Sequence, residues 1–221
     1  MSNRNKRSQK EKKSTVVIID GDNFFKSLKH PLGVEVYDLI AVFKYIFGSV
    51  ENLMKIVNFD KRAFGPIILL LSEKKNHKER KKQNIFLNSI EELAFGMIDI
   101  FIIDPKTVNG GSIVSNTDLD VGTFLTMALY DNCIENIVLV SGDGDFKRVL
   151  RWVGVPSRIT ISLVCIKGTD SSELKKKVLQ SGGDTYIIGK DIIKKTNKDG
   201  VLTIKKGEIK GLRKIKYNKG E

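Results

Sequence analysis

Two short apolar runs, each followed by a turn of acidic and glycine residues, dominate the pattern of hydrophobic and polar positions along the chain. They are Val16-Val17-Ile18-Ile19 before Asp20-Gly21-Asp22-Asn23, and Ile137-Val138-Leu139-Val140 before Ser141-Gly142-Asp143-Gly144-Asp145. Runs of this kind are typical of strands buried on both faces, where polar side chains occur at the strand end. Because ligands bind outside the carboxyl ends of parallel strands, the two turns predict one acidic site.

The rest of the chain alternates apolar runs with helical periodicity. A short helix is predicted at Phe24–Lys29, ended by His30 and Pro31, and a long one over Glu35–Val57. Further strands are predicted at 66–71, 97–103, 159–166 and 186–188, helices at 83–95, 117–129, 146–153 and 171–180, and a loop at 105–116. This alternation predicts an α/β fold, a three-layer α/β/α sandwich with a mainly parallel central sheet.

Length and charge predict one domain between two basic tails. The chain has 221 residues and a net charge of +12. Residues 1–13 hold six Lys/Arg and one Glu, and residues 190–221 hold eleven Lys/Arg and four acids, which leaves residues 14–189 neutral. We therefore expect a basic N-terminal tail at 1–13, a domain at 14–190 and a basic C-terminal tail at 191–221. Solvated segments and phosphate-binding segments are equally compatible with such tails.

The composition predicts an intracellular, cytoplasmic protein without a membrane segment. No apolar run approaches the ~20 residues of a membrane span, and the first thirteen residues lack the apolar segment of a secretory signal. The two cysteines, Cys133 and Cys165, form neither a disulfide framework nor a zinc cluster. A nuclear-localisation tract at Arg4–Lys13 is the alternative for location.

A basic decad, Glu73–Lys82, follows the predicted strand at 66–71 and is a candidate nucleic-acid contact. With two outward-facing residues of the helix after Asp145, the candidate contacts are Lys74, Lys75, Lys78, Arg80, Lys81, Lys82, Lys147 and Arg148. The alternative is a solvated face that keeps the protein soluble.

The acids at the strand ends differ in how well a structural role explains them. Asp20 has no evident local role such as a helix cap, which favours function, whereas Asp22 and Asn23 are common turn residues. Asp145 is a candidate N-cap, but Asp143 then remains at the strand tip. Two acids in one tight turn repel each other unless positive charge lies between them.

Two further acids open the helix predicted at 117–129. Asp118 is explained by the helix dipole, and Asp120 by a capping box with Thr117. The structural explanation is strong for this pair.

A divalent metal is the positive charge that these acids predict. The chain has two histidines, His30 and His77, and neither lies near the acidic motifs. Carboxylates without histidines suit a hard ion such as Mg²⁺ or Mn²⁺, which activates water and neutralises charge in phosphodiester displacement. An acidic, metal-binding pocket beside basic flanks is typical of a nuclease.

The acidic motifs, in this order and on these elements, resemble those of NYN domains, a branch of the PIN-like nucleases. The resemblance covers residues 15–190 and implies a PIN-like fold with Mg²⁺- or Mn²⁺-dependent RNA cleavage. It implies an acid cluster of Asp20, Asp120, Asp143 and Asp145 and an orienting role for Asn23, and Ser141 matches the family's polar residue before the acidic turn. Asp22, Asp118 and Ser141 are secondary candidates. Thr126 departs from the pattern, because members often have another Asp six residues after the helix acid.

Two other functions remain open at the level of sequence. One is an RNA-binding scaffold of this fold without turnover, since some relatives act only in binding. The other is a haloacid-dehalogenase-type phosphatase with Asp20 as nucleophile, for which Ser72 followed by Lys74 or Lys75 imitates the later motifs. Phe24 stands where that family has Thr or Val, and Asn23 favours the nuclease.

Overall fold

The computed structural model describes residues 14–32, 42–44, 46–47, 64–91, 98–107, 113–114, 116–188 and 213–215. The strands are β1 (Ser14–Asp20), β2 (Phe64–Ser72), β3 (Ile98–Ile103), β4 (Lys106–Thr107), β5 (Ile113–Val114), β6 (Ile134–Val140), β7 (Thr160–Ile166), β8 (Asp184–Ile188) and β9 (Arg213–Ile215). The helices are α1 (Gly21–Leu32), α2 (His77–Glu91), α3 (Thr117–Tyr130), α4 (Phe146–Trp152) and α5 (Ser172–Gln180).

The central sheet has the order β3-β2-β1-β6-β7-β8-β9. Its first six strands are parallel, and β9 is antiparallel to β8. The acid-tipped strands β1 and β6 are neighbours in the middle of this sheet, with Ile19 opposite Val140. The structure therefore confirms the predicted α/β fold with a mainly parallel sheet and places both acidic turns at the same edge.

Apolar layers cover both faces of the sheet. Along β1, Val17 and Ile19 join a cluster with residues of α1 and α2, and Val16 and Ile18 join a second cluster with residues of α3, α4 and α5. This alternation follows from the two-residue period of a strand and explains the continuous apolar run. Burial of such side chains contributes roughly 1.5–3 kcal/mol each.

Helix α1 is longer than predicted. It begins at Gly21 and ends at Leu32, beyond the predicted stop at His30 and Pro31. Asp20 accepts a hydrogen bond at Oδ1 from the Asn23 backbone N–H at 3.2 Å, which is the geometry of a helix N-cap. The expectation that Asp20 has no capping role was therefore wrong.

Helix α2 begins six residues before the predicted start at Gln83. The Asn76 side chain accepts hydrogen bonds at Oδ1 from the backbone N–H groups of Lys78 and Glu79, at 2.9 and 3.4 Å. This cap starts the helix at His77, so six of the ten residues of the basic decad are helical.

Four other segments differ from the prediction or lie partly or wholly outside the described residues. The predicted loop at 105–116 contains the short antiparallel pair β4 and β5, and β9 lies in the segment after 190 where no element was predicted. Of the helix predicted over Glu35–Val57, residues 42–44 and 46–47 are described, and they are helical. The basic tail at 1–13 lies outside the described residues. Among the described helices, none is long and apolar enough to cross a bilayer.

Candidate active site

The site is centred on Asp20, the last residue of β1. Asp20 is completely buried, and both of its carboxylate oxygens accept hydrogen bonds. Oδ1 accepts from the Asn23 N–H at 3.2 Å, and Oδ2 accepts from the Ser141 hydroxyl at 2.9 Å. Asp20 thus joins the turn after β1 to the turn after β6.

Two further hydrogen bonds join the same two turns. Asn23 Oδ1 accepts from the Gly142 backbone N–H at 2.8 Å, and Ser141 Oγ accepts from the Asp143 N–H at 3.0 Å. Because Ser141 Oγ accepts from Asp143, its own proton is directed to Asp20. Asn23 therefore holds the start of the acidic loop after β6 through the Gly142 backbone.

Close packing explains a glycine in this loop. A Cβ added at Gly142 would lie 2.3 Å from the Thr169 carbonyl oxygen, and the Gly142 carbonyl accepts from the Ser171 N–H at 3.2 Å. The loop after β7 therefore packs against the acidic loop and leaves no space for a side chain at residue 142.

The loop after β6 carries two acids, Asp143 and Asp145. Asp143 Oδ1 accepts from the Asp145 N–H at 2.8 Å. Asp145 occupies the N-cap position of α4, but its side chain makes no capping hydrogen bond and is 68% exposed. Asp145 is therefore the N-cap residue by position, as predicted, but its carboxylate does not cap the helix.

The helix acid nearest to the site is Asp118. Partial burial and then repulsion from Asp143, Asp145 and Asp22 raise the pKa of Asp118. Asp118 is in turn one of the charges that raise the pKa of Asp20. Carboxyl groups from the turn after β1, the start of α3 and the turn after β6 therefore repel one another at one place.

Asp120 lies on a different side of α3. Asp118 shares its face, at steps of three and four residues, with the buried Val121 and Leu125. Asp120 shares its own side with Phe124, whose ring contacts that of Phe101 on β3 at 4.8 Å between centroids. Helix geometry thus places the two acids on different sides of α3, Asp118 with Val121 and Leu125 and Asp120 with Phe124.

The capping box predicted for Asp120 is not formed. Asn116 is the N-cap of α3 and makes no side-chain capping hydrogen bond, and Thr117 is the first helical residue. In the described part of the chain, no hydrogen bond or ion pair is found for the Asp120 side chain. Thr126, six residues later, donates its hydroxyl to the Gly122 carbonyl at 2.8 Å within the helix.

Among the described acids of the site, Asp20 has the pKa that departs furthest from its ordinary value. Burial raises the pKa of Asp20 to about 7, with smaller upward contributions from Asp118 and Asp22. The hydrogen bonds from Asn23 and Ser141 act in the opposite direction, because they stabilise the carboxylate. Near neutral pH, Asp20 is therefore poised between its protonated and its charged form.

Asp22 connects the site to β2. Its Oδ2 accepts from the Ser72 N–H at 3.1 Å, and its Oδ1 lies 3.1 Å from Lys74 Nζ. Lys74 is thus paired with an acid of the site rather than exposed on a basic surface. Asp22 has a structural partner in addition to its influence on Asp20 and Asp118.

The predicted nucleic-acid contacts fall into two groups. Several are engaged by nearby acids: Lys75 and Arg80 with Glu73, Lys147 with Glu173, and Arg148, at 3.9 Å, with Asp145. Lys78, Lys81 and Lys82 lie instead at steps of three and four on the exposed side of α2. Among the described residues no ion pair is found for these three lysines, which makes them the free part of the basic decad.

The donor set fits a partly hydrated Mg²⁺ or Mn²⁺. All candidate ligands are carboxylate oxygens, which are preferred by hard ions. Within the described residues, no group of three or more Asp, Glu, His or Cys side chains is close enough to hold an ion by itself. Mg²⁺ usually keeps several waters and takes one or two protein carboxylates, so it does not require such a cage.

One supporting residue was missed by the sequence analysis, and one acid, Asp118, interacts with other acids that the analysis did not connect to it. Gln83 donates from Nε2 to the Ser72 carbonyl at 2.9 Å and accepts at Oε1 from the Lys74 N–H at 3.0 Å. No local signal in the sequence indicates this role. Asp118 carried a signal, because its spacing to Val121 and Leu125 already placed it on the core-facing side of the helix.

The fold and the acidic edge together define a PIN-like, nuclease-type domain. The family model for the NYN domain matches residues 14–187. This chain therefore belongs to the NYN domain family, as the motifs implied.

A solved structure supports the fold independently. It is the crystal structure of a protein of unknown function, VPA0982, from Vibrio parahaemolyticus RIMD 2210633. It is similar to this chain with a TM-score of 0.51 and 12% identity, over 88% of this chain and 98% of that chain. At this identity the similarity concerns the fold. A comparison with curated proteins gave no match.

Proposed function

We propose that this protein is a metal-dependent ribonuclease that hydrolyses RNA phosphodiester bonds at the carboxyl edge of β1 and β6. The observation that carries the proposal is that four acids from three segments, Asp22, Asp118, Asp143 and Asp145, lie close enough to influence one another. Burial and then repulsion from the other three raise the pKa of Asp118. Such an arrangement is unfavourable without a cation, and a divalent ion relieves it. Membership of a nuclease-type family points to the same chemistry.

In this proposal the exposed acids hold the ion and the buried acid organises them. One or two of Asp118, Asp143 and Asp145 would bind a hydrated ion directly and the others through its waters. The ion would neutralise the phosphodiester and lower the pKa of the attacking water. Asp20 lies behind these acids and fixes Ser141, whose Oγ holds the Asp143 N–H. Asn23 fixes Gly142 in the same loop.

Substrate binding is assigned to the free lysines of α2. Lys78, Lys81 and Lys82 present three positive charges on one exposed side of a helix that begins next to the strand edge. Phosphate contacts of this kind give affinity that depends on salt and little on sequence. RNA is therefore the proposed partner, and Mg²⁺ or Mn²⁺ the proposed cofactor.

The phosphatase alternative is less well supported by the geometry. A nucleophilic Asp needs an accessible oxygen, whereas Asp20 is completely buried with both oxygens hydrogen-bonded. The lysine that would serve that mechanism, Lys74, pairs with Asp22 instead. A test with a small phosphomonoester and trapping of an acyl-phosphate on Asp20 separates the two activities.

The deciding experiment is cleavage of labelled single-stranded and hairpin RNA by the purified protein with Mn²⁺, Mg²⁺ or EDTA. We expect cleavage that requires the metal and is abolished in Asp143→Asn/Asp145→Asn. Calorimetric titration should show Mn²⁺ binding to the wild type and its loss in the double variant. Undiminished cleavage by that variant would overturn the site, and RNA binding without turnover by the wild type would assign a binding module instead.

A further inference from the structure

We propose that Lys74 contacts the RNA phosphate at the acid cluster, and that Gln83 is the residue that positions it. The inference rests on the proposed function, because it assumes that RNA enters this site. It separates Lys74 from the other cations of the basic decad and gives it a role within the reaction centre.

Lys74 is the described cation that pairs with an acid of the cluster on the β2 side. Its Nζ lies 3.1 Å from Asp22 Oδ1, and its side chain remains 38% exposed. Asp22 in turn influences the charges of Asp20 and Asp118. The ammonium group is therefore placed at the acid cluster and is still accessible to a ligand.

Side chains of α2 hydrogen-bond to both the N–H and the carbonyl of Lys74. Gln83 accepts from the Lys74 N–H at 3.0 Å and donates to the Ser72 carbonyl at 2.9 Å. Arg80 Nε donates to the Lys74 carbonyl at 3.1 Å. Three hydrogen bonds from one helix thus fix the turn after β2, which places Lys74 reproducibly beside Asp22.

Two neighbouring cations of the decad, Lys75 and Arg80, pair with a different acid. Lys75 Nζ pairs with Glu73 at 2.9 Å, and Arg80 pairs with Glu73 at 3.2 Å. Glu73 is not among the acids that influence Asp20 or Asp118. Lys75 and Arg80 therefore stabilise the turn after β2 through Glu73, whereas Lys74 lies at the acid cluster beside Asp22.

An RNA phosphate is repelled by the carboxylates unless a cation meets it. A lysine ammonium is a compact charge with three donors, so Lys74 can hold Asp22 and a phosphate oxygen together. Asp22 also keeps its hydrogen bond from the Ser72 N–H, so it is not left without a donor when Lys74 turns toward the phosphate.

Binding of a fluorescent single-stranded octaribonucleotide, measured by anisotropy in EDTA over a series of salt concentrations, tests Lys74 without turnover. Lys74→Met should raise the Kd about tenfold, the loss expected for one charged hydrogen bond. The slope of log Kd against log salt should fall by about 0.7, the value for one single-strand phosphate contact. Lys74→Arg should retain most of the affinity. The matched control is Lys176→Met, which removes an exposed lysine on α5.

Asp22→Asn distinguishes a phosphate contact from a purely structural pair. If Lys74 contacts the phosphate, loss of the Asp22 charge frees it, and RNA affinity should be unchanged or higher. If Lys74 acts only by holding Asp22, then Asp22→Asn should weaken binding as much as Lys74→Met, and that result would overturn the inference. An unchanged Kd and salt slope in Lys74→Met would overturn it as well.

Gln83→Ala tests the positioning role. It should raise the Kd in the wild-type background and have no further effect in Lys74→Met, because Gln83 acts through Lys74. Equal effects in both backgrounds would show that Gln83 serves the fold alone. The two proposals can fail separately. If the protein binds RNA through Lys74 but does not cleave it, the ribonuclease proposal is overturned and the role of Lys74 stands.

Discussion

Ser141 donates its hydroxyl proton to Asp20 Oδ2 at 2.9 Å, across 121 positions of sequence. The same oxygen, Ser141 Oγ, accepts the backbone N–H of Asp143 at 3.0 Å. One hydroxyl thus links the buried acid of β1 to Asp143, a partly buried acid of the loop after β6. The charge of Asp20 and the position of Asp143 are therefore coupled.

Ser141→Ala should raise the pKa of Asp20 further, because the hydroxyl lowers it. The pH at which cleavage reaches half its maximum should then shift upward, since a charged Asp20 is needed to hold the site. Stability at pH 8 should fall by about 1–3 kcal/mol, the cost of leaving a buried carboxylate oxygen without its donor. Ser162→Ala removes another buried serine, on β7, and should leave the pH profile in place; an equal shift in both variants would contradict the prediction.

The raised pKa of Asp20 predicts how stability depends on pH. The pKa rises from an ordinary 3.8 to about 7 on folding, so the folded state binds the proton more tightly than the unfolded chain. This contribution is fully present below about pH 4 and is lost as the pH rises through about 7. In EDTA, urea unfolding of the wild type should therefore lose up to about 4 kcal/mol over this window relative to Asp20→Asn. A difference that is constant with pH would show that Asp20 is charged throughout.

Asp118→Asn and Asp120→Asn form a matched pair on the first turn of α3. Each removes one acid that interacts with the helix dipole, worth about 0.3–1 kcal/mol. Asp118→Asn also relieves repulsion from Asp143, so its melting temperature without metal should be at least that of Asp120→Asn. Cleavage and Mn²⁺ affinity should fall about a hundredfold in Asp118→Asn. If Asp120→Asn instead lost more cleavage and Mn²⁺ affinity than Asp118→Asn, the metal ligand on α3 would be Asp120, the residue that the motif indicated.

Gly142→Ala should destabilise the acidic loop. The new Cβ would lie 2.3 Å from the Thr169 carbonyl oxygen, and relief of such overpacking costs about 1–3 kcal/mol. Gly122→Ala is the matched control, because its Cβ would meet Val149 Cγ2 at 3.5 Å, an ordinary contact within a helix. That variant should be neutral or more stable by up to about 1 kcal/mol. Thermal unfolding of both variants measures the contrast, and a neutral Gly142→Ala would mean that the loop after β7 moves freely.

Local sequence patterns were sufficient to predict the layers of the fold and the edge at which the site lies. Apolar runs such as Ile137–Val140 are local signals, and a continuous run predicts a strand covered on both faces wherever the strand pairs. The turn residues after β1 and β6 are equally local. Since parallel strands align their carboxyl ends, the position of Asp20 and Asp143 at the same edge of the sheet followed from the alternation of strands and helices.

Only the tertiary structure decided which side chains meet at this edge. The pair of Lys74 with Asp22 and the support of Lys74 by Gln83 arise because β2 lies beside β1, with Asp20 opposite Leu70, a relation that no local pattern contains. The choice between Asp118 and Asp120 depends on the rotation of α3 about its axis, which its packing against β1 and β2 fixes. Local sequence sets which groups are available, whereas burial and the charges contributed by distant segments set their protonation and their contacts.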